Sequence, residues 1–238
     1  MEIFMYYFLL ILMCALIINL IFIIRRKCPK KISVLMNVMM ILFLIRCISL
    51  IFLSITNSNN YALMIGRLSE LNVIYVPAVI FITVYIFRRD NVMKFISVYP
   101  YIAVFAVLFG VEMYFSKYSL KIIKQFGFVI FSSNELIENF IFITVLVFLE
   151  IISIKVLLEP RSNKAGMIFL IMSIVSMVVE RFLFIYEVSV FPLPVISEFI
   201  LLMTSYYTVS TFKKIKNVWY WNKLKHLDKL EFELNYKF

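Results

Sequence analysis

Glycine is scarce, with four residues in a chain of 238. That excludes a Gly-rich phosphate loop and leaves little small-residue packing of the GxxxG type. Histidine is scarcer still. The single His226 lies outside every apolar run, which argues against His-dependent intramembrane peptidases and most metal sites. Asp90 and Asp228 are the only aspartates, so no apolar run carries the paired aspartates of an intramembrane protease. The three cysteines, Cys14, Cys28 and Cys47, have no metal-ligand spacing and imply no disulfide framework. Charge is also sparse. Charged residues make up 16% and hydrophobic residues 63% of the chain, with a mean hydropathy of +0.98. Soluble domains average about 25% charged and roughly 45–50% apolar, so an ordinary soluble domain is excluded.

What is present is a series of long apolar runs. A hydrocarbon core of about 30 Å needs roughly 20 helical residues. That rule predicts seven spans, at 3–24, 32–55, 68–87, 95–115, 136–158, 165–186 and 189–212. The first has Glu2 before it and Arg25-Arg26-Lys27 after it, the reverse of a signal peptide. It reads as a retained helix with its amino end outside. Pro77 falls inside the third span, where it removes a backbone donor. The stretch 56–67 reads as a polar connector. The outer segment 116–135 fits either a short hairpin around Gly127 or an interfacial helix from Leu120 to Phe126.

The net charge of +10 fits the positive-inside bias of membrane proteins better than nucleic-acid binding. With the amino end outside, 18 of the 24 basic residues fall in inner segments and 4 in outer ones, namely Arg67, Lys117, Lys121 and Lys124. The expectation is an all-α, polytopic bundle of seven transmembrane helices over 1–214, in the cell membrane, with a cytoplasmic tail at 215–238. The tail is basic and aromatic at Trp219-Tyr220-Trp221. Its leucines at 224, 227, 230 and 234 suit an amphipathic helix on the lipid bilayer, or a short coiled coil with a second copy.

The most informative stretch runs from Glu180 to Lys214. It reads as a hairpin: one helix ends near Tyr186-Glu187, Phe191-Pro192-Leu193-Pro194 turns, and a second helix returns. On that second helix Ser197, Glu198, Thr204, Ser205, Thr208 and Thr211 share one face. Such a stripe either lines a binding cavity or bonds its own backbone, with Glu198 simply paired. Arg46, deep in the second span, needs an acid, and Glu70 or Glu198 is the expected partner. Arg181 lies close enough to its helix end to reach the interface. Arg46, Glu70, Arg181, Glu198, Thr204 and Ser205 are thus the candidate ligand-binding residues. Cys47 beside Arg46 lacks a base, and the seventh span lacks a retinal-binding lysine. No enzyme, cofactor or metal is implied.

Some short motifs carry a resemblance. Arg67-Leu68 leads into a span with Pro77 that ends in Tyr85-Ile86-Phe87-Arg88-Arg89. Pro100 opens the fourth span, Phe128 and Phe131 precede the fifth, and Pro192-Leu193-Pro194 opens the seventh. Over about 1–214 this layout resembles the seven-helix sensor region at the amino end of many bacterial histidine kinases. Arg46-Cys47 departs from that family's aromatic second span. His226-Leu227-Asp228-Lys229-Leu230 superficially resembles a phospho-acceptor box, but no kinase domain follows and His226 reads as a solvated tail residue. The resemblance implies an outer input region, an output helix at the end, and a separate cytoplasmic signalling partner. The competing expectation is a small transporter or immunity-type permease, in which Glu150 continues a polar path inward.

Overall fold

The computed structural model describes residues 2–56, 59–88, 98–115, 118–123, 127–186, 188 and 191–212. Helices α1 (Glu2–Lys27) and α2 (Lys30–Ile55) form an antiparallel pair. Helix α3 (Asn59–Arg67) runs through a 3-10 turn at Leu68–Leu71 into α4 (Asn72–Arg88). Then come α5 (Val98–Phe115), strands β1 (Tyr118–Ile123) and β2 (Gly127–Ser132), α6 (Glu135–Leu158), α7 (Lys164–Ile185) and α8 (Ile196–Ser210). Among the described residues, all regular structure apart from these two strands is helical.

Packing follows from apolar spacing. On α1 the buried residues are Tyr6, Leu10, Met13, Ile17, Leu20 and Ile24, at steps of three and four, which is one helical stripe. The opposite face is equally apolar, yet Phe4, Phe8, Ile11 and Phe22 are exposed. A helix hydrophobic all round with only one face on protein suits a lipid surround. Helix α4 is different. It packs against α2, α5, α6, α7 and α8, and most of its circumference is buried. Pro77 is tolerated inside it, surrounded by protein.

Five segments are long and apolar enough to cross a membrane: Ile3–Lys27, Lys30–Ile55, Tyr61–Arg88, Glu135–Leu158 and Lys164–Ile185. The fold is therefore a helical bundle of the membrane type. The expected spans at 95–115 and 189–212 are helical over Val98–Phe115 and Ile196–Ser210 among the described residues. Helix α5 is apolar over Val98–Val111, and α8 covers 15 residues rather than the whole of 189–212. Pro192 and Pro194 cannot donate backbone hydrogen bonds, and the helix begins only after them. The stretch 56–67, expected as a connector, is mostly helical, since α3 begins at Asn59. The expected tail at 215–238 lies outside the described residues.

Of the two forms expected within 116–135, the described residues take the hairpin, with β1 and β2 pairing Tyr118 with Ser132 and Ile123 with Gly127 in antiparallel register. Arg67 places its guanidinium 5.7 Å from the centre of the Tyr118 ring. The hairpin packs on α2 and α3 and so caps one end of the bundle. At the other end α4 docks onto the start of α7: Asn163 N–H donates to the Phe87 carbonyl at 2.8 Å. Gly166 leaves room there for the Phe87 ring.

Candidate functional site

Arg46 is the largest fully buried side chain among the described residues, with 1% of its surface exposed. A lone charge at that depth is costly, and the surrounding elements answer it. Nη1 pairs with the Glu198 carboxylate and donates to the Tyr75 hydroxyl at 3.4 Å. Nη2 donates to the Pro194 carbonyl at 3.4 Å, and Nε to the Ser69 carbonyl. The planar guanidinium thus joins α2 to the 3-10 turn, to α4, to the segment before α8 and to α8 itself. Tyr75 is held by stacking on Phe43, with ring centres 4.5 Å apart. Of the two acids expected beside Arg46, Glu198 is the partner.

Glu180 performs a task that its position in the sequence hides. Its carboxylate accepts the backbone N–H groups of Val195 and Ile196 at 3.0 Å and of Ser197 at 2.8 Å. Val195, at the cap position of α8, has no side-chain cap of its own. A carboxylate from α7 therefore satisfies the free donors and meets the positive end of the α8 dipole. An acid near the carboxyl end of α7 is misplaced for its own helix dipole, and that misplacement was the available signal.

Arg181 is enclosed by protein near the hairpin end of the bundle. It is buried, donates to the Asn139 carbonyl oxygen at 2.9 Å, and lies 4.6 Å from the centre of the Phe142 ring. These partners belong to α6, whose face toward α7 supplies an amide and an aromatic surface. Asn139 was missed in the sequence, although it is an amide inside an apolar run.

Arg181 and Glu70 line one cleft at the hairpin end of the bundle, with Ser132, Glu135, Glu138, Asn139 and Leu193. Its cavity volume is about 30 Å³, enough to hold water. The Ser132 hydroxyl donates to Glu138 at 2.6 Å, tying the hairpin to the first turn of α6. The expected cavity used α8 as a wall. The cleft instead uses α6, and Glu198 lies apart from it with Arg46.

The polar stripe of α8 is buried and turned inward, but its hydroxyls serve their own helix. Thr204 donates to the Ile200 carbonyl at 3.0 Å, Ser205 to Leu201 at 2.9 Å and Thr208 to Thr204 at 2.8 Å. Neither Thr204 nor Ser205 lines the cleft with Glu70 and Arg181. Among the described residues no group of three or more His, Cys, Asp or Glu side chains gathers as metal ligands.

The candidate site therefore has two parts: a small polar cleft and, beside it, a buried ion pair. They are covalently adjacent. Glu70 in the cleft follows Ser69, and Leu193 in the cleft precedes Pro194, and both Ser69 and Pro194 give their carbonyls to Arg46. No protein-family model matches the chain, and no curated protein matches it in sequence.

Proposed function

We propose that the chain is a sensor of the cell membrane. Its seven apolar segments cross the bilayer with the amino end outside and the carboxyl end in the cytoplasm, a topology supported by the distribution of basic residues. The hairpin and the cleft then face outward. A small ligand, extracellular or dissolved in the membrane, is received at this outer end. Helix α8 passes the change to the tail, and the tail to a cytoplasmic partner, as the likeness to kinase sensor regions implies.

The observation that carries this reading is the adjacency of cleft and ion pair. A group entering beside Glu70 displaces the 3-10 turn, and with it the Ser69 carbonyl held by Arg46. A group pressing on Leu193 displaces Pro194, the other acceptor. Either movement changes how Arg46 holds Glu198 and hence where α8 sits. A ligand that favours one α8 position over another shifts the balance by its difference in affinity for the two.

Glu70→Gln is the informative variant, because Glu70 lines the cleft and lies outside the Arg46–Glu198 ion pair. In the organism of origin it should move the transcript profile toward that of a deletion strain, at unchanged protein level in the membrane. A wild-type profile in the Glu70→Gln strain would count against sensing through the cleft. Proteoliposomes in which the protein moves an ion or solute, with flux lost in Glu70→Gln or Glu150→Gln, would make it a transporter instead.

A further inference from the structure

Two of the three cysteines, which the proposed function leaves unused, are brought together by the packing of α1 on α2. Cys14 lies near the middle of α1 and Cys47 past the middle of α2. The two helices are antiparallel, so Cys14 stands about 20 Å and Cys47 about 26 Å from their shared end, at the α-helical rise. Helical side chains lean toward their own amino ends, which tilts the Cys14 sulfur away from that end and the Cys47 sulfur toward it. The two tilts close the difference, and the thiols meet within hydrogen-bond reach. Cys28 is 14 residues beyond Cys14, about 21 Å along the helix, and cannot join them.

The surroundings of the pair select its chemistry. Cys47 is fully buried, whereas Cys14 is partly exposed, with Ile11 and Ile18 exposed beside it on the apolar outer face of α1. A reagent that meets Cys14 therefore comes through hydrocarbon and has to be neutral and lipid-soluble. An oxidant that took electrons alone would leave two protons at that depth, at the cost of buried charge. A quinone takes both. We propose that Cys14 and Cys47 form a dithiol site that a lipid-soluble quinone oxidises to a disulfide, with Cys14 the attacking and Cys47 the resolving sulfur. The Cys14 sulfur adds to the quinone ring, and its proton passes to a ring oxygen. The Cys47 sulfur then attacks Cys14, so that the S–S bond forms as the sulfur–ring bond breaks, and the second proton goes to the other ring oxygen. Two thiols lose two electrons, and the quinone leaves as the neutral quinol. The bond fixes α1 to α2 one residue from Arg46 and its ion pair. This site goes beyond the sensor reading and does not depend on it.

The test uses the full chain in nanodiscs, reduced with dithiothreitol under nitrogen and then mixed with decylubiquinone. After denaturation the free thiols are capped with N-ethylmaleimide, and linked peptides are mapped by mass spectrometry. A Cys14–Cys47 linkage should form, with quinol appearing in equal amount by its ultraviolet absorbance. Ferricyanide, an anion that stays in water, should give no linkage in the same time. Cys14→Ser and Cys47→Ser should each lose both the linkage and the quinol, and Cys28→Ser should keep both. Wild-type chains whose Cys14 and Cys47 stay reduced in the presence of the quinone would overturn the proposal, a result independent of how the variants fold. Linkage to Cys28 in place of either partner would do the same. So would a Cys14–Cys47 bond made equally well by ferricyanide, or by hydrogen peroxide and not by the quinone, because the pair would then take its oxidant from water.

Discussion

At the scale of single residues, burial of charge dominates this protein. Arg46 has four acceptors from four elements, so its removal leaves Glu198 enclosed without its counter-charge. A buried pair broken on one side typically costs about 3–5 kcal/mol, whereas replacing both partners by apolar groups is often nearly neutral. Arg46→Leu should therefore lower stability by that order in reversible detergent unfolding. Adding Glu198→Leu should recover most of the loss. A double variant no more stable than Arg46→Leu would show that the other three contacts of Arg46, and not the ion pair, hold the elements together. Cys28, between α1 and α2, gives a simpler reading of burial. Desolvation pushes its thiol up to about 11, although Lys27 pulls the other way. Only the thiolate is nucleophilic, and an unperturbed thiol ionises near 8.5. In a Cys14→Ser/Cys47→Ser background, alkylation of Cys28 should keep rising about tenfold per pH unit past 9 and level off near 11. Levelling near 8.5 in folded protein would mean that Cys28 is fully hydrated.

At the scale of elements, the decisive contacts lie between helix ends. Helix α8 starts after two prolines with no cap of its own and depends on Glu180 of α7. Loss of a helix cap costs roughly 0.5–2 kcal/mol. Glu180→Leu should thus raise hydrogen exchange at the amides of Val195, Ile196 and Ser197 before it affects α1. Glu180→Gln, which can still accept, should have the smaller effect. Unchanged exchange at these three amides in Glu180→Leu would mean that water caps α8 equally well. At the opposite end, a Cβ on Gly166 would sit 2.6–2.8 Å from three ring atoms of Phe87, which is fully buried. Gly166→Ala should be destabilising by about 1–3 kcal/mol through overpacking. Phe87→Leu in the same chain should relieve part of it, as thermal or detergent unfolding would show.

At the scale of the whole molecule, the exposed apolar faces of α1, α2, α6 and α7 define what surrounds it. Phe4, Phe8, Phe52, Phe140, Phe148 and Met172 are each more than half exposed. In water such a surface would drive aggregation, whereas a bilayer satisfies it. The proposed orientation places Ser119, exposed on the hairpin, outside and the carboxyl end inside. In a variant without its three native cysteines, Ser119→Cys should react with an impermeant maleimide added to intact cells. A reporter fused after Phe238 that is active only outside the cytoplasm would reverse the topology.

Sequence alone determined the apolar helices, their rough limits and the polar residues that had to be reconciled with lipid. Those features are local, because a run of about 20 apolar residues and the side on which lysines collect need no knowledge of neighbours. It also narrowed the partner of Arg46 to two acids, since few charges exist at that depth. Only the tertiary structure decided between Glu70 and Glu198, because residues 152 positions apart meet through helix packing that no local pattern encodes. The same holds for Asn139, which became the partner of Arg181 because α6 lies against α7. It holds for Glu180, whose purpose appears only when the start of α8 is brought to it. The hydroxyls of α8 show the converse. Their shared face was legible from spacing, but whether they served a cavity or their own backbone depended on what packed against them, and each found the nearest carbonyl of its own helix first.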